Sequence, residues 1–324
     1  MNREEVISET IDRVITVDVH GRGVIYHLYA VARNFLGKPL AFSAAKAIID
    51  NVKKGDYVFL ITGFRVPPNF IQESDGPPGI VVLARILAKV LRTRNILFIE
   101  DESRDILINA LSSVNIKLSE SEDIKPGQAF IATFPKDFDS AYKAAEEVIG
   151  KYSPSLVLCL EKVGMNSKGV YHNMEGYDVS DYQMKIEPLI EYARRNGILT
   201  IGVGDGGNEV GMGNIATTIK EFIPYGKKCR CPCKGGIVAV SKVDILVAST
   251  TSNWGGYGIE ACIAYLAGKP RYMHKPIHER KILRATIDSG AIDGVTREAT
   301  YSVDAIPEKV HYSIVEILNS IISQ

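Results

Sequence analysis

Apolar positions along this chain follow two periods, and the switch between them predicts the architecture. Over 4–17, 24–36 and 40–52, apolar residues recur every three or four positions, the mark of helices with one buried stripe. His20-Gly21-Arg22-Gly23 and Gly37-Lys38-Pro39 interrupt the pattern between them. From residue 57 onward, short unbroken apolar runs at 57–64, 95–100, 129–134, 156–160, 198–203, 237–240 and 245–248 are too brief for helices and predict buried strands. Windows of helical period separate or follow them at 78–91, 103–114, 137–149, 181–196, 215–222, 259–266, 277–289 and 308–322.

Strands apolar on both faces, taking turns with helices, predict an α/β fold with a mostly parallel sheet and helices on both faces, a three-layer, Rossmann-like arrangement. Residues 1–54 are expected to form a helical segment packed on a single α/β domain spanning 55–324. Polar stretches follow the predicted strands at 64–79, 161–180, 204–214 and 249–257. Open α/β sheets bind ligands at the carboxyl ends of their strands, so these four loops are expected to build one pocket.

Composition narrows the partners. The 324 residues hold 38 basic and 38 acidic side chains, so no net field draws nucleic acid or an anionic membrane to the surface. The start is an acidic amphipathic helix unlike a signal peptide or presequence, and the apolar window at 80–91 is interrupted by Arg85 and Lys89 and too short to span a bilayer. A soluble, cytoplasmic protein with a small-molecule partner is expected, with a homodimer as the commonest assembly for such a chain. Five cysteines in a chain of this size do not suggest a disulfide framework.

The densest chemistry lies at 201–214, IGVGDGGNEVGMGN, where a strand empties into a glycine-rich loop carrying Asp205, Asn208 and Glu209. Gly202-x-Gly204-x-x-Gly207 has dinucleotide spacing, but two carboxylates inside the loop would repel a pyrophosphate unless a metal ion lay between them. A metal, an amine or a protonated group is therefore the expected partner of Asp205 and Glu209. The first loop adds Thr62, Arg65, Glu73 and Asp75, the last placed where it could simply cap the next helix. The second gathers Lys168, Tyr171, His172, Asn173 and Glu175, which makes His172 a candidate for acid–base work. The fourth sets Trp254 beside Ser252 and Asn253, a wall suited to a small polar ligand or a cap on the core. Cys229-x-Cys231-x-Cys233 is spaced more tightly than a zinc knuckle, with no second Cys/His pair nearby in sequence. Flanked by Lys227, Lys228, Arg230 and Lys234, it reads as a mobile surface hairpin or a redox-sensitive thiol cluster.

Taken in order, TGF at 62–64, ESDGPPG at 73–79, GVYHNMEG at 169–176, GVGDGGNEVGMGN at 202–214, SNWGGY at 252–257, DG at 293–294 and VDAIP at 303–307 resemble the D-glutamate cyclase family. The likeness is to the cyclase-like C-terminal domain of the metazoan enzyme and its stand-alone microbial relatives, and it covers roughly residue 55 to the end. The resemblance implies a hydro-lyase that closes D-glutamate into 5-oxo-D-proline.

Lactam closure needs a base for the α-ammonium, an electrophilic aid at the γ-carboxylate and a donor to the departing oxygen. Asp205 or Glu209 is expected as base or amine ligand, Asn208 with the N–H groups of Gly206 and Gly207 as oxyanion donors, and His172 as proton donor. Arg65 or Lys168 would grip the α-carboxylate, with Thr62, Asn173, Ser252, Asn253 and Trp254 lining the substrate site. In an alternative version, Glu73, Asp75, Asp205 and Glu209 hold Mg²⁺ or Mn²⁺, which polarises the γ-carboxylate. A non-catalytic receptor for an amino acid or nucleotide, and a metal-dependent hydrolase of a cyclic amide, are the rival expectations.

Overall fold

The computed structural model describes residues 2–323. The chain opens with α1 (Arg3–Ile15), α2 (Val24–Leu36) and α3 (Leu40–Asn51), then enters the sheet at β1 (Tyr57–Ile61). A small hairpin of β2 (Arg65–Val66) and β3 (Ile71–Gln72) leads to α4 (Pro77–Val90), followed by β4 (Arg94–Phe98), α5 (Arg104–Ser112), β5 (Ala129–Ala132) and α6 (Phe138–Tyr152). The second half runs through β6 (Leu156–Leu160), α7 (Glu187–Arg195), β7 (Leu199–Gly204), α8 (Ala216–Phe222), β8 (Ile245–Ala248), α9 (Ser252–Leu266) and α10 (Pro276–Asp288). It ends in a hairpin of β9 (Ser302–Val303) and β10 (Ile306–Pro307) and in α11 (Glu308–Ile322).

Six strands form one parallel sheet in the order β5-β4-β1-β6-β7-β8. Counting those strands alone, the order is 3-2-1-4-5-6, which reverses direction between β1 and β6. Helices α3, α4 and α9 pack together against the sheet as one layer, and α7 against β7 with α6 beside it as another. The core strands are buried on both faces, which is why each reads in sequence as an unbroken apolar run.

Three expected elements differ. Residues 237–240 are buried at 237–239 but form no strand; the segment crosses beneath the second loop, with Val240 N–H bonded to Met165 O at 2.9 Å. Helix α7 begins at Glu187, not at 181, because Pro188 sets its first turn. The stretch at 249–257 is not a loop beyond Thr251, since SNWGGYG forms the buried first turns of α9. Glycine weakens a helix by roughly 1 kcal/mol per residue, but here it lets α4 come close. A Cβ on Gly79 would lie 2.9 Å from both Asn253 Oδ1 and Leu160 Cδ1.

At the α9–α10 contact, His274 is buried between Glu260, bonded at Nδ1, and Glu279, whose Oε2 lies 3.4 Å from Nε2. Arg85, Tyr257 and His278 complete the surroundings. Burial alone would depress this imidazole, but the two carboxylates overcome it and push its pKa up to about 9. The stabilisation is fully present below the free imidazole value of 6.5 and is lost as pH rises through 9. Denaturant unfolding should therefore show the fold weakening by roughly 3 kcal/mol across that window, and His274→Gln should flatten the slope. An unchanged slope in the variant would assign the pH dependence elsewhere.

Candidate active site

The reversal of strand order opens a cleft at the carboxyl ends of β1 and β6, and a cavity of about 300 Å³ lies there. Its walls come from the segments after β1 (Phe64, Val66, Glu73), after β6 (Glu161, Asn173, Met174), after β7 (Asp205, Gly206) and after β8 (Thr250). Further segments close it, among them Asp18, His20 and Arg22 between α1 and α2, Pro224 after α8, and Gly294, Arg297 and Asp304 near the β9–β10 hairpin.

Acidic groups converge here. Asp75, Asp205 and Asp304 bring carboxylate oxygens within 4.8 Å of one another, and Glu161, Asp205 and Glu209 do the same. Glu73 adds a buried carboxylate whose Oε1 has no hydrogen-bond partner. Burial first, and mutual repulsion second, push Glu73, Asp75, Glu161 and Asp205 well above the ordinary carboxylate range. Burial also raises Asp304, although its hydrogen bond with Asp205 and the charges of Arg22 and His20 oppose it. The turn that presents Asp304 is tight: Asp304 (φ 52°) and Ala305 (φ 61°) both lie in the left-handed region, and Asp293 Oδ2 accepts from Ala305 N–H at 2.7 Å and Ser302 Oγ at 2.6 Å.

Basic groups stand beside the acids. Arg297 stands in the left-handed region (φ 64°), and its NH1 is buried without a partner, as is Nε2 of His20. An unsatisfied guanidinium N–H beside a cavity is an anion site in waiting. Behind the acid wall, buried Lys162 ion-pairs with Glu100 and donates to Gly63 O at 2.8 Å, tying the end of β6 to the end of β1.

Of the residues expected at the site, Asp205, Glu73, Asn173 and Gly206 line the cavity. Asp75 caps a helix, but it is α9 and not the helix that follows it: its carboxylate accepts from Ser252 N–H and Asn253 N–H, each at 2.8 Å. Glu209 turns back on its own loop and accepts from the N–H groups of Asp205, Gly206 and Gly207 at 2.9, 2.6 and 2.7 Å. Those amides are therefore engaged, and the oxyanion role expected of the Gly206 and Gly207 N–H groups finds no free donor there. Asn208 is a clip, donating to His172 O at 2.8 Å. Asn253 bridges to Gly76 and Gly79, Ser252 Oγ donates to Glu161 at 2.5 Å, and Trp254 is core, with Nε1 bonded to His311. Thr62 is buried beneath the wall, Arg65 pairs with Glu102 at 3.0 Å away from the cavity, and Lys168 is exposed.

His172 lies outside the cavity as well. Its ring, held neutral by burial, faces the cysteine segment, with Nε2 3.1 Å from Cys231 Sγ and 3.6 Å from Cys233 Sγ. Cys229 and Cys231 turn inward and are buried, while Arg230, Pro232 and Lys234 of the same segment are exposed. Sequence proximity could not reveal the cluster, because its histidine arrives from the loop after β6.

Comparison with known proteins follows the same lines. A family profile described as "D-glutamate cyclase-like, C-terminal" matches residues 11–319. It takes in most of the helical leading segment, which the motif resemblance from about residue 55 left out. "D-glutamate cyclase, mitochondrial" of Homo sapiens is 25% identical over 288 residues, covering 82% of this chain. The chain spans about two fifths of that relative's length, since the match covers 41% of it. The solved "S. aureus MnaA-UDP co-structure" is 16% identical over 47% of this chain and 31% of its own, with a TM-score of 0.27, a likeness too slight to bear on fold or ligand. No helix among the described residues is long and apolar enough to cross a membrane.

Proposed function

Because the chain belongs to the D-glutamate cyclase-like family, we propose that its cavity closes an acidic amino acid, D-glutamate in the first instance, into 5-oxo-D-proline with loss of water. The observation that supports this most is one small cavity lined both by the acids Glu73, Glu161, Asp205 and Asp304 and by the bases Arg297, Arg22 and His20, with NH1 of Arg297 and Nε2 of His20 buried without a partner. An amino dicarboxylic acid carries the complementary pattern, with an ammonium for the acids and carboxylates for the donors.

Closure moves two protons from the ammonium nitrogen to the departing oxygen and leaves the protein's proton count unchanged. A hydrogen-bonded carboxyl pair suits that relay. Within the pair a carboxylate takes a proton from the ammonium, the freed amine attacks the γ-carbon, and the pair passes that proton and the second one the nitrogen sheds to the oxygen that leaves as water. This gives the Asp205–Asp304 pair the donor role expected of His172. Arg297 holds a substrate carboxylate and fixes the near-attack geometry. Asp75, Asp205 and Asp304 also form a hard oxygen set that would hold Mg²⁺ or Mn²⁺, whose charge would polarise the γ-carboxylate.

The test is incubation of purified protein with D-glutamate or L-glutamate, with and without Mg²⁺ or Mn²⁺, following 5-oxoproline by chromatography. Product from the D-isomer supports the cyclase reading. Thermal stabilisation by D-glutamate without product would favour a receptor, and consumption of 5-oxoproline without its formation a cyclic-amide hydrolase.

A further inference from the structure

We propose that His172, Cys229, Cys231 and Cys233 bind one structural Zn²⁺ ion that pins the loop forming one wall of the cavity. Their four donor atoms lie within 4.8 Å of one another. Cys229 Sγ is 3.5 Å from Cys231 Sγ and 3.3 Å from Cys233 Sγ, and His172 Nε2 is 3.1 and 3.6 Å from the sulfurs of Cys231 and Cys233. Tetrahedral zinc, with bonds of about 2.3 Å to sulfur and 2.0–2.1 Å to nitrogen, places its ligands about 3.6–3.8 Å apart. The four short contacts need to lengthen by no more than about half an ångström to match that spacing. All three cysteines are free.

The surroundings are arranged as around a metal. His172 Nδ1 lies 3.1 Å from Val170 O, a group that can only accept, so Nδ1 carries the hydrogen and Nε2 turns its lone pair toward the thiols. Cys233 Sγ accepts from Gly235 N–H and Asn166 Nδ2, each at 3.4 Å, bonds that suit a thiolate better than a thiol. The site also joins distant pieces of chain. His172 precedes Asn173 and Met174 in the cavity wall, its carbonyl is held by Asn208 of the glycine loop, and the backbone N–H of Arg230 bonds Gly176 O at 3.0 Å. A bound ion would fix the wall to the glycine loop without touching substrate.

Protein purified without chelators should carry one zinc per chain by elemental analysis. Replacement with Co²⁺ should give the charge-transfer absorption of cysteinate ligands and the visible bands of a tetrahedral ion. Cys233→Ser, chosen because Cys233 is the least buried of the three, should make zinc substoichiometric and remove part of the charge-transfer intensity. Chelator should lower the melting temperature of the unsubstituted protein, with Zn²⁺ and not Mg²⁺ restoring it. The carboxylate cluster cannot produce these signals, since it offers no sulfur. Absence of zinc together with failure to take up Co²⁺ with sulfur charge transfer overturns the proposal, as does a disulfide within the cluster in protein kept anaerobic throughout.

Discussion

Asp205→Asn is expected to lower turnover by about three orders of magnitude, the range associated with loss of a positioned acid–base group, while raising the melting temperature of the ligand-free protein. The Asp205 carboxyl is held well above its ordinary value of 3.8 by burial and then by Glu161, Asp304, Glu209 and Asp75. A proton bound there stabilises the fold fully below that ordinary value, and the contribution is lost as pH rises toward the folded pKa. At neutral pH the cluster therefore weakens the empty fold. Asparagine keeps the shape and cannot ionise, so the variant should melt roughly 2–4 °C higher at neutral pH. The gap should narrow as pH is lowered toward the ordinary carboxylate value. Scanning calorimetry across pH and single-turnover assays check the two halves separately. Retained turnover would remove Asp205 from the proton relay, and a lower melting temperature would mean that its charge is already compensated in the empty site.

The sheet could be read from sequence because a strand buried on both faces leaves an unbroken apolar signature, as at Leu156–Leu160 and Ile245–Ala248. The position of the site followed from the same pattern, since loops after strands gather at one edge. What escaped was carried by contacts between distant residues. Glu161 follows directly on β6 and looks like the mere start of a loop. Asp304 belongs to a two-residue turn whose left-handed backbone is not the Asn-Gly that would announce it. His20 and Arg22 read as linker chemistry between helices, and Arg297 follows no strand of the sheet. Glu209 reads as a ligand, and its carboxylate both satisfies three amides of its own loop and lies with those of Glu161 and Asp205. A glycine loop after a strand must direct its N–H groups somewhere, and a carboxylate two to four positions further along the chain was the signal available for that fold-back.

Arg297→Met should raise KM for an acidic amino acid by about 10²–10³-fold, as expected when one partner of a desolvated charge pair is removed, and change kcat little. The guanidinium is half-buried, lines the cavity and leaves NH1 without a partner. Its ion pair with Glu175, at 3.6 Å, reaches an exposed carboxylate and contributes little beside a buried substrate contact. The backbone supports the assignment: Arg297 is held at φ 64°, with its N–H bonded to Asp293 O at 3.0 Å, a strained placement that aims one side chain. Lysine would restore the charge but not the planar fork, so Arg297→Lys should recover no more than about a tenth of the lost affinity. Glu175→Gln should leave KM nearly unchanged, which separates loss of the substrate grip from loss of the surface pair. A fall in kcat with KM unchanged in Arg297→Met would instead place this residue on the transition state alone. The carboxylate grip would then pass to Arg22, the other arginine that faces the cavity.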